Sequence, residues 1–123
     1  MNEPLYTARA AAQALHRNVL GSLGESETVQ ANAALYTIEI HQVAATVYKM
    51  LGTETSDIQR SLAGALEALD DAARDAAAVA WGPHRLTYAA SGGLITHIQR
   101  ANRHLSHAIA TRRGAAAVRQ RGM

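Results

Sequence analysis

Residues 96–113, THIQRANRHLSHAIATRR, bring three histidines and four arginines together without one acidic residue. Three kinds of chemistry use such a set. Histidines three or four apart on a helix can share a metal ion, a histidine beside an arginine can cut a phosphodiester, and spaced arginines can hold phosphates. On a helical wheel of about 100° per residue, the apolar centre runs along Leu94, Ile98, Ala101 and Leu105. His97 and His104 fall at the border of that stripe. Arg100, Arg103 and His107 point away from it, and His97, Arg100, His104 and His107 form one inclined row.

For a metal, only His104 and His107 are close enough along the helix. His97 lies two turns away, about 10.5 Å from His104 along the axis, so a third ligand would have to come from elsewhere, such as Glu39 or His41. No Glu-x-x-His or His-Glu-x-x-His pattern occurs, and the surrounding arginines repel a cation. The reading is therefore no metal and no cofactor. The histidines serve as border residues of a solvated helix.

For catalysis, the candidate pair is Arg100 and His107, separated by six residues. This pair resembles the arginine–histidine motif of HEPN-type ribonucleases. That resemblance implies a small all-helical protein, often dimeric, in which the two residues would cut RNA at a dimer cleft. The family has a polar residue after the arginine, and here Ala101 stands there. A second likeness is to the helical-hairpin proteins of type VII secretion, which carry Trp-x-Gly between helices. This chain has Trp81-Gly82-Pro83 instead, with the glycine one position early, which is better explained by a packing tryptophan beside a helix stop. Nothing matches a nucleophile elbow or a phosphate loop, and an alanine-rich bundle has few residues to shape a pocket. The expectation is a non-enzymatic protein, with Arg100 and His107 as reserve catalytic residues.

For anion binding, the residues are Arg100, Arg103, Arg112, Arg113, Arg119 and Arg121, with Arg85 nearby in sequence. Charge distribution gives them weight. Residues 1–80 carry five basic and ten acidic residues, whereas residues 81–123 carry seven arginines and no acid. Such asymmetry points to an anionic partner: nucleic acid, an acidic protein surface, or another copy of the chain. Few aromatics are present for base stacking, and no helix-turn-helix or zinc motif appears, so any nucleic-acid binding would be phosphate-led. Glu67, Asp70, Asp71 and Asp75 gather around Arg74 on an acid-rich face opposite Leu62, Leu69 and Ala76. The acidic and basic faces are expected to meet between copies, to attract a partner, or simply to be solvated.

These residues need helices to position them, and the chain contains four helical stripes. Leu5, Ala8, Ala12, Leu15 and Val19 form the first, entered after Pro4 and stopped at Gly21. Val29, Ala33, Tyr36, Ile40, Val43, Val47 and Met50 form the second, ended by Gly52, with Glu25 and Glu27 favourable at its start. Ile58, Leu62, Ala65, Leu69, Ala72, Ala76 and Val79 form the third, opened by a Ser56–Gln59 capping box and stopped at Trp81-Gly82-Pro83. Leu94, Ile98, Ala101, Leu105 and Ala108 form the last. Ser91-Gly92-Gly93 is expected to bend or break that helix, with a short fifth helix at 84–90, and Gly114 to end it. No segment alternates at period two. The fold is read as an all-α, antiparallel up-down four-helix bundle over residues 1–113, followed by a flexible basic tail at 114–123.

The second helix carries a further apolar strip, Ala31, Leu35, Ile38 and Ala45, on the side away from its main stripe. A helix apolar on two sides needs cover on two sides, so these four residues are the expected homo-oligomer interface. The chain has 123 residues and no cysteine, which suits one domain in a reducing compartment without disulfides. No apolar run reaches the roughly 18 residues of a membrane span. Residues 5–23 faintly resemble a transit peptide but read more simply as a first helix. The chain is therefore read as cytoplasmic and membrane-free, a helical binding or assembly module associating with nucleic acid or a nucleic-acid-associated complex. The alternative is a homo-oligomeric adaptor that uses its acidic and basic faces.

Overall fold

A computed structural model describes residues 3–21, 26–82 and 87–121. Four helices account for nearly all of them: α1 (Glu3–Gly21), α2 (Ser26–Met50), α3 (Ser56–Trp81) and α4 (Thr87–Arg121), with a single 3₁₀ turn at Leu51–Thr53. There is no strand among the described residues. Successive helices run antiparallel. α1 touches α2 and α4, α3 touches α2 and α4, and α1 and α3 lie diagonally opposite. This is the up-down four-helix bundle that the stripe pattern predicts.

The stripes are the core. Leu5, Ala8, Ala12, Leu15 and Val19 of α1 are buried, as are Ala33, Tyr36, Ile40, Val43, Val47 and Met50 of α2. All seven stripe residues of α3 and all five of α4 join them. The side chain of Val29 lies outside the described residues, as do those of Glu25 and Glu27. α3 buries more than its stripe, because Ser61, Ala68 and Ala73 are also inside. It is packed on both flanks, most extensively against α4 and next against α2. α3 is thus the helix with the widest buried face, and the additional strip of α2 stays outside.

Three local expectations are corrected. The Ser56–Gln59 capping box does not form. Thr55 is the N-cap, with extended backbone and no side-chain cap, and the Gln59 side chain instead donates to the Leu51 carbonyl at 2.6 Å, tying α3 to the preceding turn. α4 passes through Gly92 and Gly93 unbroken, so residues 87–90, expected in a separate fifth helix at 84–90, are its first turn, and 84–86 lie outside the described residues. It also runs past Gly114 to Arg121 as helix. Pro83 to Leu86, including Arg85, lie outside the described residues.

Packing explains why the glycine pair does not break the helix. A Cβ on Gly93 would sit 2.6 Å from Asp75 Oδ2, and one on Gly64 of α3 would sit 2.6 Å from the His104 ring. Each helix therefore lends a glycine to make room for a polar side chain of the other. No glycine among those described has positive φ, so the requirement is space and not backbone conformation. Gly92 has nothing within 4 Å of such a Cβ and carries only the entropic penalty of a helical glycine. Gly92→Ala should raise stability by about 0.5–1 kcal/mol. Gly93→Ala should gain less or lose, because Asp75 must move. Denaturant melts of the two variants check the order, and equal gains would remove the close-approach role of Gly93.

Candidate anion-binding site

Of the inclined row on α4, His97, Arg100 and His104 are partly buried toward α3, and His107 is exposed. Along the antiparallel pair, Gly93 and His97 lie by Asp75, Arg100 by Asp71 and His104 by Gly64 of α3. The Arg100 guanidinium donates to Asp71 Oδ2 at 2.6 Å, both side chains being about two-thirds buried. His97 Nε2 lies 3.4 Å from Asp75 Oδ2 without hydrogen-bond geometry, and His97 Nδ1 and Asp75 Oδ2 are both buried without a hydrogen-bond partner. His104 packs over Gly64. Arg112 pairs with Glu54, ahead of α3, and both side chains are less than one-fifth exposed. The acid-rich and arginine-rich helices therefore meet inside one chain. Of the acid-rich group, Glu67 and Asp70 remain exposed, with Asp70 paired to the exposed Arg74.

This redistributes the predicted anion-binding residues. Arg100 and Arg112 already have carboxylate partners. Arg103 and Arg113 are exposed. The side chains of Arg119 and Arg121 lie outside the described residues. His107 is exposed, two turns from Arg100, and a ribonuclease-like pair would first need Arg100 released from Asp71. No group of three or more histidine, aspartate or glutamate side chains among the described residues is placed to hold a metal ion.

The other flank of α4 faces α1 and is basic. Gln13, His16 and Arg17 of α1 and Gln99, Asn102 and Arg103 of α4 line an open groove of about 630 Å³. Asn102 Nδ2 donates to the Ala12 carbonyl at 3.2 Å. Asn102 Oδ1 and His16 Nε2 are buried without a hydrogen-bond partner. Nearer the start of α1, Arg113 Nε donates to the Tyr6 hydroxyl at 2.9 Å. Arg9 and Arg113 both lie over the Tyr6 ring, at 5.6 and 5.5 Å from its centre. Arg9, Arg17, Arg103 and Arg113 thus line the α1–α4 flank, none in an ion pair among the described residues. Arg9, Gln13, His16 and Arg17 are missing from the sequence-based site. Their apolar neighbours place them on a helix border, but only the pairing of α1 with α4 sets Gln13, His16 and Arg17 beside Gln99, Asn102 and Arg103, and Arg9 beside Arg113.

The predicted oligomer residues are where the wheel puts them. Ala31, Leu35, Ile38 and Ala45 are all exposed, with Leu35 and Ile38 more than half so. No helix among the described residues is long and apolar enough to cross a membrane. In comparisons with protein-family models, curated proteins and solved structures, nothing matches this chain.

Two α3 carboxylates are shifted in opposite directions from the ordinary carboxylate value. The Arg100 hydrogen bond holds the Asp71 carboxyl below its ordinary value of 3.8. Asp71 therefore adds stability that is present above 3.8 and lost as pH falls through its folded value. Desolvation raises the Asp75 carboxyl above 3.8, against a smaller opposing pull from His97. Its ionised form is a cost at neutral pH, and that cost is relieved as pH falls through the raised value. At pH 7, Asp71→Asn should lower the melting temperature and Asp75→Asn should leave it level or raise it. The Asp71→Asn deficit should shrink below pH 3.8. Equal losses for both variants at pH 7 would contradict the assignment.

Proposed function

We propose that this chain is a non-enzymatic helical binding module whose α1–α4 flank associates with nucleic acid. The observation that carries this reading is the run of Arg9, Arg17, Arg103 and Arg113 along two antiparallel helices, with none engaged by a described carboxylate. Helical rise separates Arg9 from Arg17 by about 12 Å and Arg103 from Arg113 by about 15 Å. The four charges therefore form an extended strip, as a polyanion requires, and not a point site. Phosphate contacts of this kind need spaced cations and little else, and they release counterions. Of the six arginines expected from the sequence, the flank keeps Arg103 and Arg113, whereas Arg100 and Arg112 are paired with Asp71 and Glu54.

The test is an anisotropy titration with a labelled single-stranded RNA and a duplex DNA at two salt concentrations. Binding should weaken steeply with salt, and Arg9→Gln/Arg113→Gln should weaken it at least about tenfold, with a shallower salt slope. Arg74→Gln, on an α3 face already occupied by Asp70, should change nothing. Equal effects of the two variants, or no salt-sensitive binding, would remove the reading. Loss of intact RNA during the titration would instead favour ribonuclease chemistry.

A second reading concerns self-association through α2, favoured by the exposure of Leu35 and Ile38. The strip suits a second copy of this chain because it is self-complementary. A two-fold, antiparallel α2–α2 contact centred on Ile38 sets Ala31 of one copy against Ala45 of the other. The large residues then lie near the crossing, where the two helices are closest, and the small ones lie toward both ends. The strip itself carries no formal charge to oppose pairing. Leu35→Glu/Ile38→Glu should convert a dimer into a helical monomer, weakening association at least about 30-fold. Analytical ultracentrifugation showing a wild-type monomer at high concentration would end this reading.

A further inference from the structure

Beside the outward strip of α2 lies a second groove, between α1 and α2, of about 380 Å³. Its walls include Ala8, Ala11, Ala14 and Leu15 of α1 and Gln42 and Val43 of α2. The exposed lining is more apolar than polar, and Glu39 is its one charged residue. Ala8, Leu15 and Val43 are buried, whereas Ala11 and Gln42 are exposed. On the α2 wheel Gln42 falls about 20° from Leu35, so the groove runs along the Leu35 edge of the strip.

The strip alone is a small contact. Leu35 and Ile38 are 51% and 56% exposed. With two exposed alanines the strip offers roughly 300 Å² in one copy, against about 800 Å² per partner in a standard interface. A stable contact between copies therefore has to reach past the strip.

The two-fold, antiparallel pairing centred on Ile38 fixes where it reaches. Leu35 precedes the centre by three residues, so it stands level with residue 41 of the other copy. The two-fold axis runs between the helices and perpendicular to them, and it keeps each edge of the strip on the same side in both copies. The Leu35 edge of one copy therefore lies over the Gln42 edge of the other. The Tyr36 hydroxyl donates to the Asn18 carbonyl at 3.4 Å, which sets the antiparallel register of α1 against α2. In that register the level of residue 41 falls near Ala11 and Ala14. The large side chain at the edge of one strip thus arrives where the other copy has alanines, a ridge meeting a hollow.

We infer that the α1–α2 groove is the socket for Leu35 of a second copy, so that α1 and α2 together form the dimer surface and each interface holds two identical Leu35–groove contacts. The inference rests on the self-association reading of α2 and extends that surface to α1.

The experiment is sedimentation equilibrium of the full chain and its variants. Ala11→Lys, at an exposed groove position, should weaken the dimer at least about tenfold while the helical circular dichroism is kept. Ala10→Lys adds the same side chain at an exposed α1 position outside the groove, and should leave the dimer as it is. Leu35→Glu should weaken the dimer at least as much as Ala11→Lys does. Mixed in equal amounts, Leu35→Glu and Ala11→Lys chains should pair with each other more tightly than either pairs with itself. One Leu35 then meets an unaltered groove, and the introduced glutamate meets the introduced lysine. A dimer broken by Leu35→Glu/Ile38→Glu but equally tolerant of Ala10→Lys and Ala11→Lys would overturn the socket and leave the α2 contact standing. Mixed chains that stay apart would also overturn the socket. A wild-type monomer at high concentration would overturn both the socket and the self-association reading.

Discussion

The close antiparallel contact between α3 and α4 sets the rest of this molecule. Alanines at 65, 68, 72 and 76 on one helix and at 101 and 108 on the other keep the buried surface low in relief. Glycines at 64 and 93 then let polar side chains lie flat across it. Small residues bury little area each, so contact over many residues must replace large side chains. Phenylalanine is absent from the chain, and the largest fully buried side chains are leucines, isoleucines and valines.

That contact also decides the electrostatics. Once α3 and α4 are in register, Asp71 meets Arg100 and Asp75 comes within reach of His97. The two pairs are not equivalent. Asp71 receives a charge-assisted hydrogen bond from a guanidinium, a planar donor suited to a carboxylate. Asp75 has an imidazole at 3.4 Å with poor alignment, and desolvation dominates its titration. One seam thus holds a satisfied pair beside an under-satisfied one. With Arg100 and Arg112 paired, the exposed arginines among the described side chains of α4, Arg103 and Arg113, lie on the α1 side. There Gln13, His16 and Arg17 meet Gln99, Asn102 and Arg103 without an acid among them.

The helical stripes were legible because burial on a helix repeats every three to four residues, and each predicted core residue with a described side chain is buried. The outward strip of α2 was legible for the same reason, since two apolar faces on one helix cannot both turn inward in a small bundle. Helix continuity at Gly92-Gly93 was not. Local propensity disfavours glycine there, and only the neighbouring Asp75 supplies the reason for Gly93. The Ser56–Gln59 cap failed similarly, because Gln59 found a better-placed acceptor in the Leu51 carbonyl.

The amino-acid sequence by itself determined the class of fold, the core, and the excess of arginine in the last third of the chain. Those follow from periodicity and composition, which are local properties. Which arginines stay available was decided only by tertiary structure, because neutralisation depends on which helix lies beside α4 and in what register. Arg100 and Asp71 are 29 residues apart in the chain yet share a hydrogen bond. Arg17 and Arg103 are far apart in sequence yet line one groove. A wheel drawn for one helix shows which side chains leave the core, but not whether they meet water, an opposite charge or another cation.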